Sequence, residues 1–328
     1  MKPLESPYPL LFKPVYKDYL WGGDKIPTRF SRTDAPAQCA ESWEVSAHPD
    51  GMGVVENGKL EGQNLETLCA EFGDSLLGSH CPDGKFPLLI KLIDAKARLS
   101  VQVHPDEVSA ERYGGEAKTE MWYVLDAPEN AFVCAGLNPG VGPRIFHDAL
   151  VAKNIASLLR TVNVTPGKSV FIPGGLVHAI CEDCLIFEVQ QNSNTTYRVY
   201  DWGRTGADGK TRMLHIQQAM EVIDWHAPEL GLQAPFPMKA ATPENKRERL
   251  LRCDFFTLER YELSRKEPVT PNGTSFRVLF AQTEAVSIQW NDGDMILPYG
   301  RSCLIPACMP AYSMSPVETA ASVLTVEV

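Results

Sequence analysis

Short alternating runs, rather than long amphipathic helices, dominate this chain. Residues 98–104, 119–125, 131–135, 160–164, 169–172, 185–190 and 196–200 alternate apolar with polar positions or concentrate β-branched and aromatic residues. Such runs predict strands, because successive side chains on a strand leave opposite faces. Turn signals separate them: Asn138-Pro-Gly, Thr165-Pro-Gly and Pro173-Gly-Gly. Many short strands at this spacing predict a sandwich or jelly roll rather than a parallel α/β sheet. Three helical patches interrupt the strands. Asn64 stands as an N-cap ahead of Leu65, Leu68 and Phe72; apolar residues recur at the helical period over 146–159; and Ile216, Ala219, Met220 and Ile223 do so within 214–225. Residues 226–244, with Pro228, Pro235, Pro237 and Pro243, read as a connection. Strand-like runs return at 255–263, 276–281, 286–290, 302–305 and 322–326.

A spaced pair repeats. Gly167-(five residues)-Pro173 recurs as Gly300-(five residues)-Pro306, and Ala311-Tyr312 stands where His178 would fall in the second copy. The expectation is a mainly β chain in two domains. Residues 1–240 form the principal one, with small helical insertions; residues 241–328 form a second β-barrel or jelly roll that lacks the metal site argued below.

Composition narrows the class. A chain of 328 residues with 44% hydrophobic content can build one large or two modest domains. The net charge of −10 argues against nucleic acid as a partner. No apolar run approaches the ~20 residues of a membrane helix, and the Pro-rich start does not read as a signal peptide. A soluble, cytoplasmic protein is expected. The nine cysteines, odd in number and mostly in apolar surroundings, fit reduced thiols. Cys181-Glu-Asp-Cys184 reads as a hairpin turn.

The chemistry concentrates in Ser100-Val-Gln-Val-His104. Gln102 and His104 lie at i and i+2, so on a strand they share a face, while Val101 and Val103 turn to a core. Glu120 precedes the apolar run Met121-Trp-Tyr-Val-Leu125, where a carboxylate is costly to bury unless it is paired or bound to a metal. His178 follows Pro173-Gly-Gly. Taken singly, each has an ordinary structural explanation. Together, one amide oxygen, two imidazoles and one carboxylate suit a divalent metal with a position open to substrate. His48, His80, His147, His215 and His226 lack such company and read as structural or solvated.

The element Gly167-(five residues)-Pro-x-Gly-x-x-His178 resembles the second cupin motif. Leu99-Ser-Val-Gln-Val-His-Pro-Asp106 and Lys118-Thr-Glu-Met-Trp-Tyr123 resemble the first motif as it stands in type I phosphomannose isomerases. Trp21-Gly22, Glu41-Ser-Trp-Glu-Val-Ser-Ala-His-Pro49, Pro87-Leu-Leu-Ile-Lys91 and the stretch Gln190–Arg204 extend the similarity, in its short bacterial form. The resemblance implies a cupin jelly roll, the double-stranded β-helix, with one Zn²⁺ per chain on Gln102, His104, Glu120 and His178. It also implies that Lys91, Ser100, Lys118, Glu188 and Arg198 line the active site. Arg204 stands where longer relatives carry a lysine at the phosphate, so a planar fork replaces a point charge there.

The implied reaction interconverts mannose 6-phosphate and fructose 6-phosphate through an enediol(ate), in a monomer or small homo-oligomer. With a single carboxylate among the ligands, the metal site would stay net positive and act as a Lewis acid. Arg198, Lys118, Lys91 and Glu188 are the catalytic candidates. Ser100, Arg198 and Arg204 are the substrate and phosphate candidates. Trp122 and Tyr123 read as core and wall. Two other readings use the same residues: an Fe(II) dioxygenase on His104, Glu120 and His178, disfavoured by Gln102 and the cations, and a sugar-phosphate-binding cupin without turnover.

Overall fold

The computed structural model describes residues 2–206 and 209–328. The chain forms two compact units, each assembled from separate stretches. One comprises residues 16–42 and 91–233; the other comprises residues 1–15, 43–90 and 234–328. The C-terminal strands thus fold with two N-terminal stretches, and the chain re-enters their unit at Ala234.

The first unit is a β-sandwich. One sheet has the order Tyr197–Tyr200, Val101–Val103, His178–Ile180, Phe132–Leu137, Leu159–Asn163. The other runs Ser169–Ile172, Glu120–Asp126, Cys184–Gln191 and then Leu88–Ala95, of which residues 91–95 belong to this unit. Trp122, Val124, Val170, Ile172 and Ile186 pack against Val133, Ala135, Val162 and Ile180, so the apolar faces of the two sheets close on one core. That is the two-layer solution for strands with one apolar face.

The second unit contains an eight-stranded sheet. Its order is Phe236–Met238, Lys246–Arg252, Thr257–Leu263, Ala321–Glu327, Arg277–Ala281, Ser302–Ile305, Leu10–Lys13, Val54–Val55. A four-stranded sheet, Glu267–Val269, Tyr312–Pro316, Val286–Trp290, Gly293–Leu297, contributes Val286, Ile288, Leu297 and Met314 to a core shared with Leu279, Ile305 and Val323. The two glycines of the sequence repeat both take left-handed backbone, Gly167 at φ 86° and Gly300 at φ 72°, just ahead of strands Ser169–Ile172 and Ser302–Ile305. Glycine adopts that conformation without the steric cost of a Cβ.

The mainly β expectation is met, and most strands in the first unit fall where alternation places them. The helices are shorter than their periodicity predicts. Leu65–Phe72 forms, and the Asn64 side chain accepts from Thr67 N at 2.7 Å. The patch at 146–159 splits into helix Pro143–Val151 and a 3₁₀ turn, Ile155–Leu158. The patch at 214–225 becomes Ile216–Val222. Helix Glu107–Tyr113 was not expected from its polar sequence; it is set by a capping box between Asp106 and Ser109. The Cys181–Cys184 segment is a turn with Asp183 at φ 62°. Among the described residues no helix is long and apolar enough to cross a membrane.

Candidate active site

Register places the site. His178 pairs with Gln102 from one side and Arg198 pairs with Gln102 from the other, so the three form one row across the five-stranded sheet. Directly opposed residues share a face. The alternation predicted at the sequence level holds: Val101 and Val103 are buried in a core of their own with Val177, Ala179 and Val199, on the outer side of this sheet. Across the sandwich Glu120 stands opposite Ile172 and Gln190, and Glu188 opposite Trp122. Glu120, Trp122 and Val124 alternate onto the inner face, which turns one carboxylate toward the row of Gln102 and His178.

The metal-ligand candidates converge. Glu120 Oε2 lies 3.4 Å from His104 Nε2, and Glu120 Oε1 lies 3.5 Å from His178 Nε2. All three residues are 1% exposed. Donor atoms of His104, Glu120 and His178 lie within 4.8 Å of one another. Each imidazole is oriented from behind. His104 Nδ1 donates to Thr195 O at 2.8 Å, and His178 Nδ1 donates to Leu176 O at 2.7 Å. With Nδ1 carrying the proton, each Nε2 presents a lone pair to the common centre, the arrangement that fixes the tautomer of a metal-ligating histidine. Gln102 adjoins them, its amide 3.3 Å from His178 Nε2 and its Oε1 accepting from Ser100 Oγ at 3.3 Å. The donor set fits a divalent cation.

Charge is layered around that centre. Lys118 Nζ reaches His104 Nε2 at 3.0 Å and pairs with Glu120. Burial lowers the His104 pKa to about 3, helped by the Lys118 charge, and burial lowers that of His178. Burial would raise the Glu120 carboxyl, but Lys118 and the two imidazoles hold it well below the carboxylate range. Further up, Lys91 Nζ lies 2.9 Å from Glu188 Oε2 and 3.5 Å from Glu41 Oε2. Trp122 Nε1 donates to Glu188 Oε1 at 2.8 Å, so that tryptophan is a core residue that also orients a carboxylate. Burial works against the charge of Lys91, but Glu188 and Glu41 outweigh it and keep its pKa above the ordinary value. Burial and the Glu120 charge raise the pKa of Glu188.

A hollow of about 270 Å³ opens above these groups. Lys91, Ser100, Gln102, Lys118, Glu120, Glu188 and Arg198 all line it, so seven of the sequence-derived candidates share one wall system. Arg198 Nη1 donates to Met213 O at 2.9 Å, and its buried Nε has no partner among the described residues. Burial, then the nearby Arg212, lower its pKa.

Arg204 lies elsewhere. Its guanidinium is spent on Asp201 and the Arg98 carbonyl, and it lines a separate shallow hollow with Lys96 and Trp202. Arg212 holds the place in the main hollow instead, bracing Nε against Asp201 Oδ2 at 2.8 Å. Arg212 sits in a stretch without periodicity, so nothing in the sequence marked it. Tyr19 and Trp21 also form part of the wall; the Trp21-Gly22 pair was the one sign of that segment.

The catalytic-domain model of type I phosphomannose isomerase matches residues 10–135. Over 306 residues the chain is 35% identical to the mannose-6-phosphate isomerase ManA of Bacillus subtilis, covering 89% of this chain and 93% of that one. The chain belongs to the type I phosphomannose isomerase family. A crystal structure of the mannose 6-phosphate isomerase from Bacillus subtilis superposes with a TM-score of 0.88 at 27% identity, covering 98% of this chain and 99% of that one. A mannose 6-phosphate isomerase solved with zinc and yttrium shares the fold at 16% identity, with a TM-score of 0.74 over 97% and 98% of the two chains. The type I phosphomannose isomerase assignment thus spans both units, beyond the segment the family model matches.

Proposed function

We propose that this chain interconverts mannose 6-phosphate and fructose 6-phosphate, with a zinc ion held by His104, Glu120, His178 and Gln102. The observation that carries the reading is the convergence of two pre-oriented imidazole lone pairs and one carboxylate beneath a hollow lined by Lys91, Lys118, Arg198 and Arg212. When bound, the divalent ion supplies Lewis acidity toward the oxygens on C1 and C2 of the sugar. A rotation of the Gln102 amide would turn its oxygen to the same centre.

The chain's own groups take the remaining roles. Lys91, held protonated by two carboxylates, is a hydrogen-bond donor rather than a base. Glu188 Oε2 is the group we assign to carry the proton between C1 and C2. Its raised pKa brings it toward the range where a carboxyl both accepts and returns a proton. Arg198, whose Nε has no partner among the described residues, binds the phosphate as a planar fork; Arg212, held through Nε and Nη2 on Asp201, adds its charge and Nη1, and Ser100 Oγ donates alongside them. Lys118 neutralises Glu120. The cationic hollow favours an anionic sugar over a dioxygen reaction, which needs no such clamp.

Mixing the zinc-loaded chain with mannose 6-phosphate should yield fructose 6-phosphate. Chelation or Glu120→Gln should remove both the metal, read by elemental analysis, and the turnover. Undiminished turnover in a preparation shown to be metal-free would overturn the assignment.

A further inference from the structure

Beyond its apolar core, the large sheet of the second unit ends in a charged, half-buried patch. On that sheet, Tyr261, Leu263, Leu279, Ala281, Cys303 and Val323 face the core. Continuing the same face toward one end of the strands, register gives two rows that are not apolar. Arg249 opposes Glu259, and Glu259 opposes Thr325. One step further, Arg252 opposes Thr257, and Thr257 opposes Glu327. Arg277 ends its own strand beside them and pairs with Glu327 at 2.7 Å, while Arg247 pairs with Glu259 at 2.8 Å.

These pairs are half-buried, with side chains 18% and 35% exposed in one and 26% and 7% in the other, and partly exposed ion pairs add little stability. Their place on an inner face therefore calls for a use other than stability. They surround a hollow of about 700 Å³, larger than the one above the metal-ligand candidates, and within the size range of small-molecule sites. Two features show what it would accept. Arg249 and Arg252 line it and make no ion pair among the described residues. The Tyr312 hydroxyl also lines it. That residue is 4% exposed, and its hydroxyl lies beside the Arg277 guanidinium. A hydroxyl there can both donate to and accept from a ligand's hydroxyl.

The charge distribution selects a ligand class. Unpaired guanidiniums at one side favour a phosphate, which they can bind bidentately. Glu259 and Glu327 would repel a wholly anionic ligand, yet carboxylates and a tyrosine hydroxyl are good partners for sugar-type hydroxyls. We propose that this hollow binds a small phosphorylated polyol, with its phosphate on Arg249 and Arg252 and its hydroxyls on Glu259, Glu327 and Tyr312. In the sequence repeat, Tyr312 falls next to the position that corresponds to His178, and the ligand needs no metal.

The test uses the full chain carrying Arg198→Ala, so that binding in the isomerase hollow is weakened, with glycerol 3-phosphate as the probe in calorimetric titration. Binding should persist in Arg198→Ala. It should weaken about tenfold or more on adding Arg249→Ala and Arg252→Ala. It should recover in part with lysine at both positions, and weaken about threefold with Tyr312→Phe alone. Glycerol should not bind, and inorganic phosphate should bind more weakly than the probe. Thermal melts confirm that each variant is folded; the lysine pair serves if the alanine pair is not. Loss of all binding in Arg198→Ala alone, or affinity unchanged by both arginine substitutions, overturns the proposal. Neither outcome bears on the isomerase reading, which turnover measures separately.

Discussion

Replacing Lys91 by methionine isolates a deeply buried charge pair in the isomerase hollow. The Lys91 side chain is 7% exposed and that of Glu188 only 2%, so solvent screens neither. Methionine keeps most of the volume and removes the charge, leaving Glu188 accepting from the Trp122 indole at 2.8 Å. Removing one partner of a buried ion pair costs about 3–5 kcal/mol, and that is the loss expected in unfolding free energy at neutral pH.

The variant should also become sensitive to pH, and the sign follows from linkage. Glu188 already has a raised pKa in the folded state, and losing Lys91 raises it further. A folded state that holds a proton more tightly than the unfolded one loses stability as pH climbs from the ordinary carboxylate range to the raised value. The deficit should therefore shrink on acidification, by about 1.4 kcal/mol for each pH unit within that window. Lys91→Met with Glu188→Gln removes both charges and should recover most of the loss. Urea unfolding followed by tryptophan fluorescence, on the metal-free chain at several pH values, measures all three quantities. Wild-type stability for Lys91→Met, or a loss indifferent to both pH and Glu188→Gln, would refute the reasoning.

Arg198→Ala should lower kcat/KM for mannose 6-phosphate by about 1.5–3 kcal/mol of transition-state stabilisation, the worth of a hydrogen bond to a charged group. Steady-state kinetics at fixed ionic strength check it. Arg212→Ala should impair kcat/KM more than Arg204→Ala, because Arg212 lines the hollow and Arg204 lines another; equal losses would contradict the placement of the two arginines. Asn64→Ala removes the cap on Thr67 N and should cost about 1 kcal/mol of stability without changing turnover, read by denaturant titration beside an activity assay.

The strands that hold the ligands were legible because each has one buried and one inward functional face, which alternation records. Leu88–Ala95 was not, since every position is buried and it reads as a mostly apolar run without alternation; Glu41–Ser46 alternates Trp43 and Val45 with Ser42, Glu44 and Ser46, but was read only as part of the family resemblance. The three closest ligand donors needed only their spacing and the cost of a buried carboxylate. Lys91, Ser100 and Glu188 have no local signal of their own, and only resemblance marked them. Arg204 and Arg212 show the limit in the other direction. Both sit in a polar stretch, and which guanidinium enters the hollow is settled by how Asp201 holds each of them. Burial would raise the Asp201 carboxyl's pKa, but these two arginines hold it below the ordinary value, which keeps that clamp charged. The discontinuous units were equally invisible, because chain order says nothing of which stretches share a core.

The contact of Glu41 with Lys91 has an architectural side. Glu41 lies at the end of one stretch of the isomerase unit and Lys91 opens the next, with residues 43–90 spent in the other unit between them. The chain therefore leaves and returns at a single gateway, Lys91 Nζ standing 3.5 Å from Glu41 Oε2. A flexible surface turn is tolerant of its length, since doubling it adds only about 0.6 kcal/mol of closure entropy. The turn at residues 82–85, between buried Cys81 and Phe86, can thus gain residues over evolution or accept inserted sequence in the laboratory, while the hollow beside that gateway keeps its dimensions.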